Sequence, residues 1–295
     1  MAKKTKPELT EDEVLRSLVC VQLTFSQWDG SVAAPNVSKE TEERHGAEKG
    51  TTRVTIAHLP KEVLSKLRAR AHALRSLWNS KTLPWGDGGL RVVRADEYLG
   101  LFEVISEAKR ELQELHEDIC VSLPAMKADA KKRLNGLYQE RAFPTANEIR
   151  DRFCIEIHSS PVPLTDQRVE GLSAGAQSLV EKSVRKQIAD SLNAALSDIH
   201  KQLLDLIADV CRRVSKDDQK GVRYGGMMKS IVSVCDSLAH CNITDDKRLA
   251  AMLEKTRSKL TAFDPIALRD DAAERRKVKK VCSDLEGDLC AIFGD

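Results

Sequence analysis

A long apolar rhythm in the second half of this 295-residue chain constrains its fold more than any other feature. From Val184 the apolar positions run through Ile188, Leu192, Ala195, Ile199, Leu203, Leu206, Val210 and Val214, in steps of 4, 4, 3, 4, 4, 3, 4 and 4. An 11-residue repeat of this kind keeps its stripe on one side of a helix, with little or right-handed supercoiling. The spacing predicts a single helix over 173–215, and a helix of about 40 residues spans about 60 Å. Burying one Leu or Ile contributes roughly 1.5–3 kcal/mol, so the stripe needs a cover. We take Ile188, Leu192, Ile199, Leu203, Leu206 and Val210 as oligomerisation candidates and expect a homo-oligomer. Folding back onto the helices that follow is the alternative.

The first half reads differently. In "VCVQLTFSQWDG" Val19, Val21, Leu23 and Phe25 fall on one face of an extended chain, with Cys20, Gln22, Thr24 and Ser26 on the other. Asp29-Gly30 closes this strand, 31–50 reads as a polar loop, and "TTRVTIAH" alternates again. Helical spacing then links Val63, Leu67, Ala71, Leu74 and Trp78. A glycine turn at 86–89, a third strand at "LRVV" and a helix from Asp96 to Cys120 follow, and Pro124 is expected to open another helix, to Glu140. Thr145 and Glu148 have capping-box spacing. Phe153, Ile155 and Ile157 mark a fourth strand, closed by Pro161 and Pro163.

These patterns predict an α+β, predominantly α-helical chain. A small, mostly antiparallel sheet is expected in the N-terminal half and a long-helix bundle in the C-terminal half. The expected division is a polar tail over 1–13, a mixed domain over 14–165 and a helical domain over 166–295. In the last, Gly221, Gly225 and Gly226 mark a hinge before helices at 227–240, 245–261 and 265–293.

The order of features resembles a family. A strand ending in "LTFSQWDG", an amphipathic helix, a glycine-rich turn, a long charged helix, "FPTANEIRDRFCIEIHSSPVP" and a helical C-terminal half are similar to the uncharacterised bacterial and phage family known as domain of unknown function 3150. The resemblance covers about residues 15–260. It implies a phage or mobile-element setting, near genes for a MoxR- or CobS-type AAA+ ATPase and a von Willebrand A-domain protein. It implies no catalytic residues.

Composition narrows the chemistry. Hydrophobic content of 41% supports a core, and 47 basic against 45 acidic residues leave a net charge of +2. That balance argues against a global basic field, though not against a local one. The nucleic-acid candidates are Lys131, Lys132 and Arg133 in "KADAKKR" and Arg275, Arg276, Lys279 and Lys280 in "RRKVKK", with "KLRARAHALR" as a third basic helix. Acidic neighbours favour a solvated face with i,i+4 pairs. "CDSLAHC" offers Cys235, His240 and Cys241 but lacks a second zinc-ligand pair. Cys154, Glu156 and His158 share one strand face without a third orienting group. "GDGG" and "GVRYGG" lack the phosphate-loop order. Trp28, Trp78 and Trp85 are expected to anchor strands to helices.

No leader and no membrane-spanning run is apparent, so the expectation is a cytoplasmic protein in a bacterial host cell, with reduced cysteines and no cofactor. The expected function is a non-enzymatic scaffold or adaptor that self-associates and binds a protein partner, an AAA+ ATPase or a host complex. The alternatives are a nucleic-acid-binding factor in phage recombination or replication, and a phage-encoded inhibitor of a host defence complex.

Overall fold

A computed structural model describes residues 11–86, 88–164, 170–216 and 222–293. The chain is predominantly helical, with a small antiparallel sheet region in its N-terminal half and a helix bundle in its C-terminal half. In chain order, helix α1 (Glu11–Arg16) leads into strand β1 (Leu18–Ser26), β2 (Ser31–Ala33), α2 (Pro35–His45) and β3 (Thr55–Ala57). Then come α3 (Lys61–Lys81), β4 (Leu83–Pro84), β5 (Arg91–Arg94), α4 (Tyr98–Leu134), α5 (Ala146–Arg152) and β6 (Cys154–Pro161). The C-terminal part is α6 (Ala174–Val214), α7 (Tyr224–His240), α8 (Lys247–Thr261), α9 (Pro265–Asp270) and α10 (Ala272–Phe293).

Contacts divide the chain into two compact units that are interleaved, unlike the linear division expected at residue 165. One comprises 1–22, 79–101 and 159–295; the other comprises 23–78 and 102–158. The main sheet has the order β4-β5-β1-β6, while β2 and β3 form a separate antiparallel pair. The opening strand therefore has its sheet, although the "TTRVTIAH" strand is not part of it. In β1, Leu18 and Cys20 are buried as well as Val21, so both strand faces are covered where β1 pairs with β5. From Gln22 on, half-buried and exposed residues alternate.

In the first unit the core gathers around α6. Ser173 caps this helix, accepting a hydrogen bond from the Ala176 amide. Ile188, Ala195, Ile199, Leu203, Leu206, Val210 and Val214 are buried in one cluster with residues of α7, α8 and α10, while Leu192 and Val184 pack against it half-buried. This corrects the oligomerisation assignment. The rhythm marks a stripe covered within the chain by the helices that follow it, so Ile188, Ile199, Leu203, Leu206 and Val210 are core residues and Leu192 borders that core.

Five local expectations are also corrected. Residues 31–50 are no loop: Pro35 starts α2, Gly46 ends it at φ +62°, and the buried Glu42 carboxylate accepts from the Gly50 amide at 3.0 Å and the Thr52 amide at 2.9 Å. Those donors hold the Glu42 carboxyl below its ordinary range. Pro124 does not open a helix but lies inside α4, on an exposed face, while Leu123 and Ala130 continue the buried stripe past it. A proline facing water leaves its lost hydrogen bond to solvent, and packing on the other face carries the helix through. Gly225 and Gly226 sit in the first turn of α7, and Gly221 lies outside the described residues. The last helix breaks at extended Asp271, whose carboxylate caps α10 by accepting from the Ala273 amide at 2.7 Å. The expected tail is likewise shortened, since α1 begins at Glu11 and buries Val14 and Leu15; residues 1–10 lie outside the described ones.

In the second unit α3 buries Leu64, Leu67, Ala71, Leu74 and Trp78. Arg70 bridges α3 to Glu111 of α4 at 2.6 Å, and Arg150 of α5 reaches Glu117 of α4. The expected capping box is formed at Thr145 and Glu148. Trp28, Trp78 and Trp85 are all buried. Among the described residues no helix is long and apolar enough to cross a membrane.

Because Leu203 is fully buried in the α6 core, Leu203→Ala is expected to lower unfolding stability by about 2–5 kcal/mol. Urea denaturation checks the loss. The mass in solution should stay as it is in the parent chain, and a change of mass without loss of stability would return the stripe to an intermolecular role.

Candidate functional site

The basic candidates differ in the partners they meet. Arg133, at the end of α4, donates to the carbonyls of Ala57, His58 and Leu59 at 3.1, 2.8 and 3.3 Å. Arg275 donates to the carbonyls of Leu268 and Arg269, satisfying the end of α9. Both guanidiniums serve the fold, and neither is free for a phosphate backbone. Lys131, Lys132, Arg276, Lys279 and Lys280 are exposed. Lys131 and Lys132 belong to the second unit and the other three to the first. On the third basic helix Arg70 is paired with Glu111, and Arg75 stacks over the Phe25 ring at 4.7 Å.

The cysteine and histidine motifs resolve into packing. Cys235 and Cys241 are buried, and burial pushes each thiol up to about 11; the buried Cys282 thiol is pushed up to about 12. Thiols held so high are neutral, which suits packing rather than nucleophilic attack. His240 instead meets Glu97 at 2.9 Å, beside Arg94, which bridges Asp96 and Asp245. This cluster fastens the end of β5 to the α7–α8 turn inside the first unit. Among the described residues no group of three or more His, Cys, Asp or Glu side chains is placed to hold a metal ion. Glu156 and His158 stand exposed on one face of β6, 3.9 Å apart, and His158 Nε2 lies 3.1 Å from Thr24 Oγ1.

The concave feature that remains in the first unit lies along α6. Trp85, Leu90, Pro163, Val184, Ile188 and Ala194 form the apolar wall of a groove of about 570 Å³, with Gln187, Asp190 and Ser191 on its polar side. Gly86, at φ +64°, brings the Trp85–Leu90 turn close to α6, and the turn is closed by the Trp85 amide on the Leu90 carbonyl. A side chain at Gly86 would strain that backbone and point toward Ser191, 3.8 Å away. The groove borders the first third of α6, before Ile188, where no described residue is buried and Leu179 is 69% exposed. Sequence reasoning named Trp85, Leu90 within "LRVV", Pro163, Val184 and Ile188 for other reasons and did not bring them together.

Two buried histidines carry the electrostatics of the second unit. His58 Nδ1 donates to the Ile56 carbonyl at 3.1 Å and His116 Nδ1 to the Leu112 carbonyl at 2.7 Å, which places the neutral ring's proton on Nδ1. Both Nε2 atoms are buried without a hydrogen-bond partner. His58 meets Phe143 edge-on at 4.7 Å, and His116 lies 4.4 Å from Phe153. Burial therefore pushes both imidazoles below their ordinary pKa. The unfolded chain takes up these protons near the ordinary histidine value of about 6.5, before the folded chain does. Their contribution is present above that pH and is lost as pH falls below it. The melting temperature should thus fall as pH is lowered from 7.5 to 5. Replacing both by leucine should flatten that slope, and an unchanged slope would contradict the assignment.

Comparisons with protein-family models, with curated proteins and with solved structures return no match, so the family resemblance rests on the residues quoted for it.

Proposed function

We propose that this chain is a non-enzymatic adaptor that binds a protein partner through the groove along α6. The single observation that carries this reading is the uneven cover of that helix. From Ile188 onward its apolar side is buried against neighbouring elements, whereas the preceding turns leave Leu179 exposed, Val180 half-buried and Val184 half-buried in the groove wall. An amphipathic helix from a partner would extend the packing along α6 into this stretch, meeting Trp85, Leu90 and Val184 with its apolar side. A phage or mobile-element setting and an AAA+ ATPase with its von Willebrand A-domain companion are the partner class that the resemblance implies.

Nucleic-acid contact is the second reading, favoured by the exposed Lys131, Lys132, Arg276, Lys279 and Lys280. Loss of Arg133 and Arg275 to structural roles weakens it. Inhibition of a host defence complex is a form of the adaptor reading, with the partner supplied by the host.

The test is affinity capture of tagged full-length chain from cells carrying its native neighbouring genes, alongside Val184→Asp. The parent is expected to retain a stoichiometric protein partner, and the variant to lose it by about tenfold or more, the effect of removing one buried anchor of roughly 1.5–3 kcal/mol. Unchanged circular dichroism should accompany the loss. Salt-sensitive DNA binding with no captured protein would favour the second reading instead.

A further inference from the structure

We infer that the free edge of β6 pairs antiparallel with β6 of a second copy of this chain, in a register centred on Ile157. This goes beyond the adaptor reading and rests on different residues. β6 is the end strand of its sheet, bonded to β1 on one side only. Among the described residues no strand lies on its other side, so a row of backbone donors and acceptors is left unpaired there. The strand is two-faced. Ile155 is buried and Ile157 half-buried on the α4 side, where Phe153 meets His116, while Glu156 and His158 are each 59% exposed on the opposite face.

The partner is selected by charge and by face. Antiparallel neighbours must present matching faces, so the register of two copies changes only in steps of two residues. Centring on Glu156 sets Glu156 against its own copy, a like-charge contact. Centring on Ile157 sets Glu156 opposite His158 and His158 opposite Glu156, two complementary pairs related by the twofold axis. The same register directs the partner's Ile155 and Ile157 to the α4 side. There a groove of about 310 Å³, lined by Phe102, Ile105, Ser106 and Lys109 of α4 and by all four strand residues from Ile155 to His158, runs along the strand edge. Phe102, 49% exposed in the single chain, is covered in this arrangement. A foreign strand would satisfy the backbone equally well. The strand's own sequence supplies both the apolar side and a reciprocal match of carboxylate with imidazole.

Sedimentation velocity of the full chain over a range of concentrations tests the pairing. The parent is expected to show a monomer–dimer equilibrium. E156K, a change at an exposed side chain that keeps the circular dichroism unchanged, should raise the dissociation constant by about tenfold or more by opposing two like or unmatched pairs per dimer. The charge swap E156K/H158E restores the reciprocal pairing in the same register and should recover most of the parental affinity. A chain that stays monomeric at every concentration, with the edge bare or occupied by a foreign strand, overturns the proposal. So does a dimer that E156K leaves unchanged, or one that the swap fails to rescue.

Discussion

Burial of the α6 stripe is the interaction on which the first unit depends. Fixing 41 residues in one helix carries a large loss of chain entropy, and a helix of this composition in water does not compensate for it alone. The compensation comes from the side chains between Ile188 and Val214, which meet α7, α8 and α10 in a single cluster. Interior packing of this kind is dense, and each large-to-small change leaves a cavity the neighbours only partly fill. A surface so used is closed to a partner unless the core opens. Whatever this chain binds must be engaged where the helix has not yet been covered, or on another element.

Much of the fold was legible in the sequence, and the reasons lie in particular residues. The bounds of α6 were readable because period, cap and stripe agree: Ser173 caps, and the rhythm ends at Val214. Thr145 and Glu148 form their capping box because that motif is satisfied locally, whatever the tertiary fold. Misreadings came where a local signal was outweighed by packing. Pro124 is a helix breaker by its own chemistry, yet Leu123 and Ala130 are buried on either side of it and hold α4 together. The reverse held at 31–50, where few apolar residues hid a helix whose order rests on Pro35, Gly46 and the buried Glu42 carboxylate. The break at Asp271 had a readable sign, an aspartate three residues before Glu274, overlooked because the apolar spacing of 265–293 runs across it.

The candidate site was less legible, because charge and hydrophobicity say what a side chain can do but not what it faces. Arg133 and Lys132 are neighbours in one basic run, but one guanidinium ends among three backbone carbonyls and the other group is exposed. No spacing rule separates them, since the carbonyls belong to Ala57, His58 and Leu59, far away in sequence. The apolar stripe had the same ambiguity. Its period established a helix and a need for cover, and only the positions of α7, α8 and α10 decide that the cover is internal.

The two surfaces assigned to association differ in kind, and that difference bears on what each can recognise. The α6 groove offers apolar area with a few polar groups at its side, and apolar burial is non-directional, so many amphipathic helices of suitable width satisfy it. Its specificity must come from shape near Trp85 and Gly86 and from Gln187, Asp190 and Ser191. The β6 edge works the other way. Backbone hydrogen bonds supply attraction to any extended segment, and they carry no sequence information by themselves. Register and partner identity rest on alternate side chains, and in β6 these are a carboxylate and an imidazole two residues apart, an order that reads as its own complement when reversed. An antiparallel copy is the arrangement that uses this reversal, because a parallel copy in register would stack Glu156 on Glu156 and His158 on His158. The proposed foreign partner therefore suits the groove by apolar area, and the proposed second copy suits the edge by the order of its side chains.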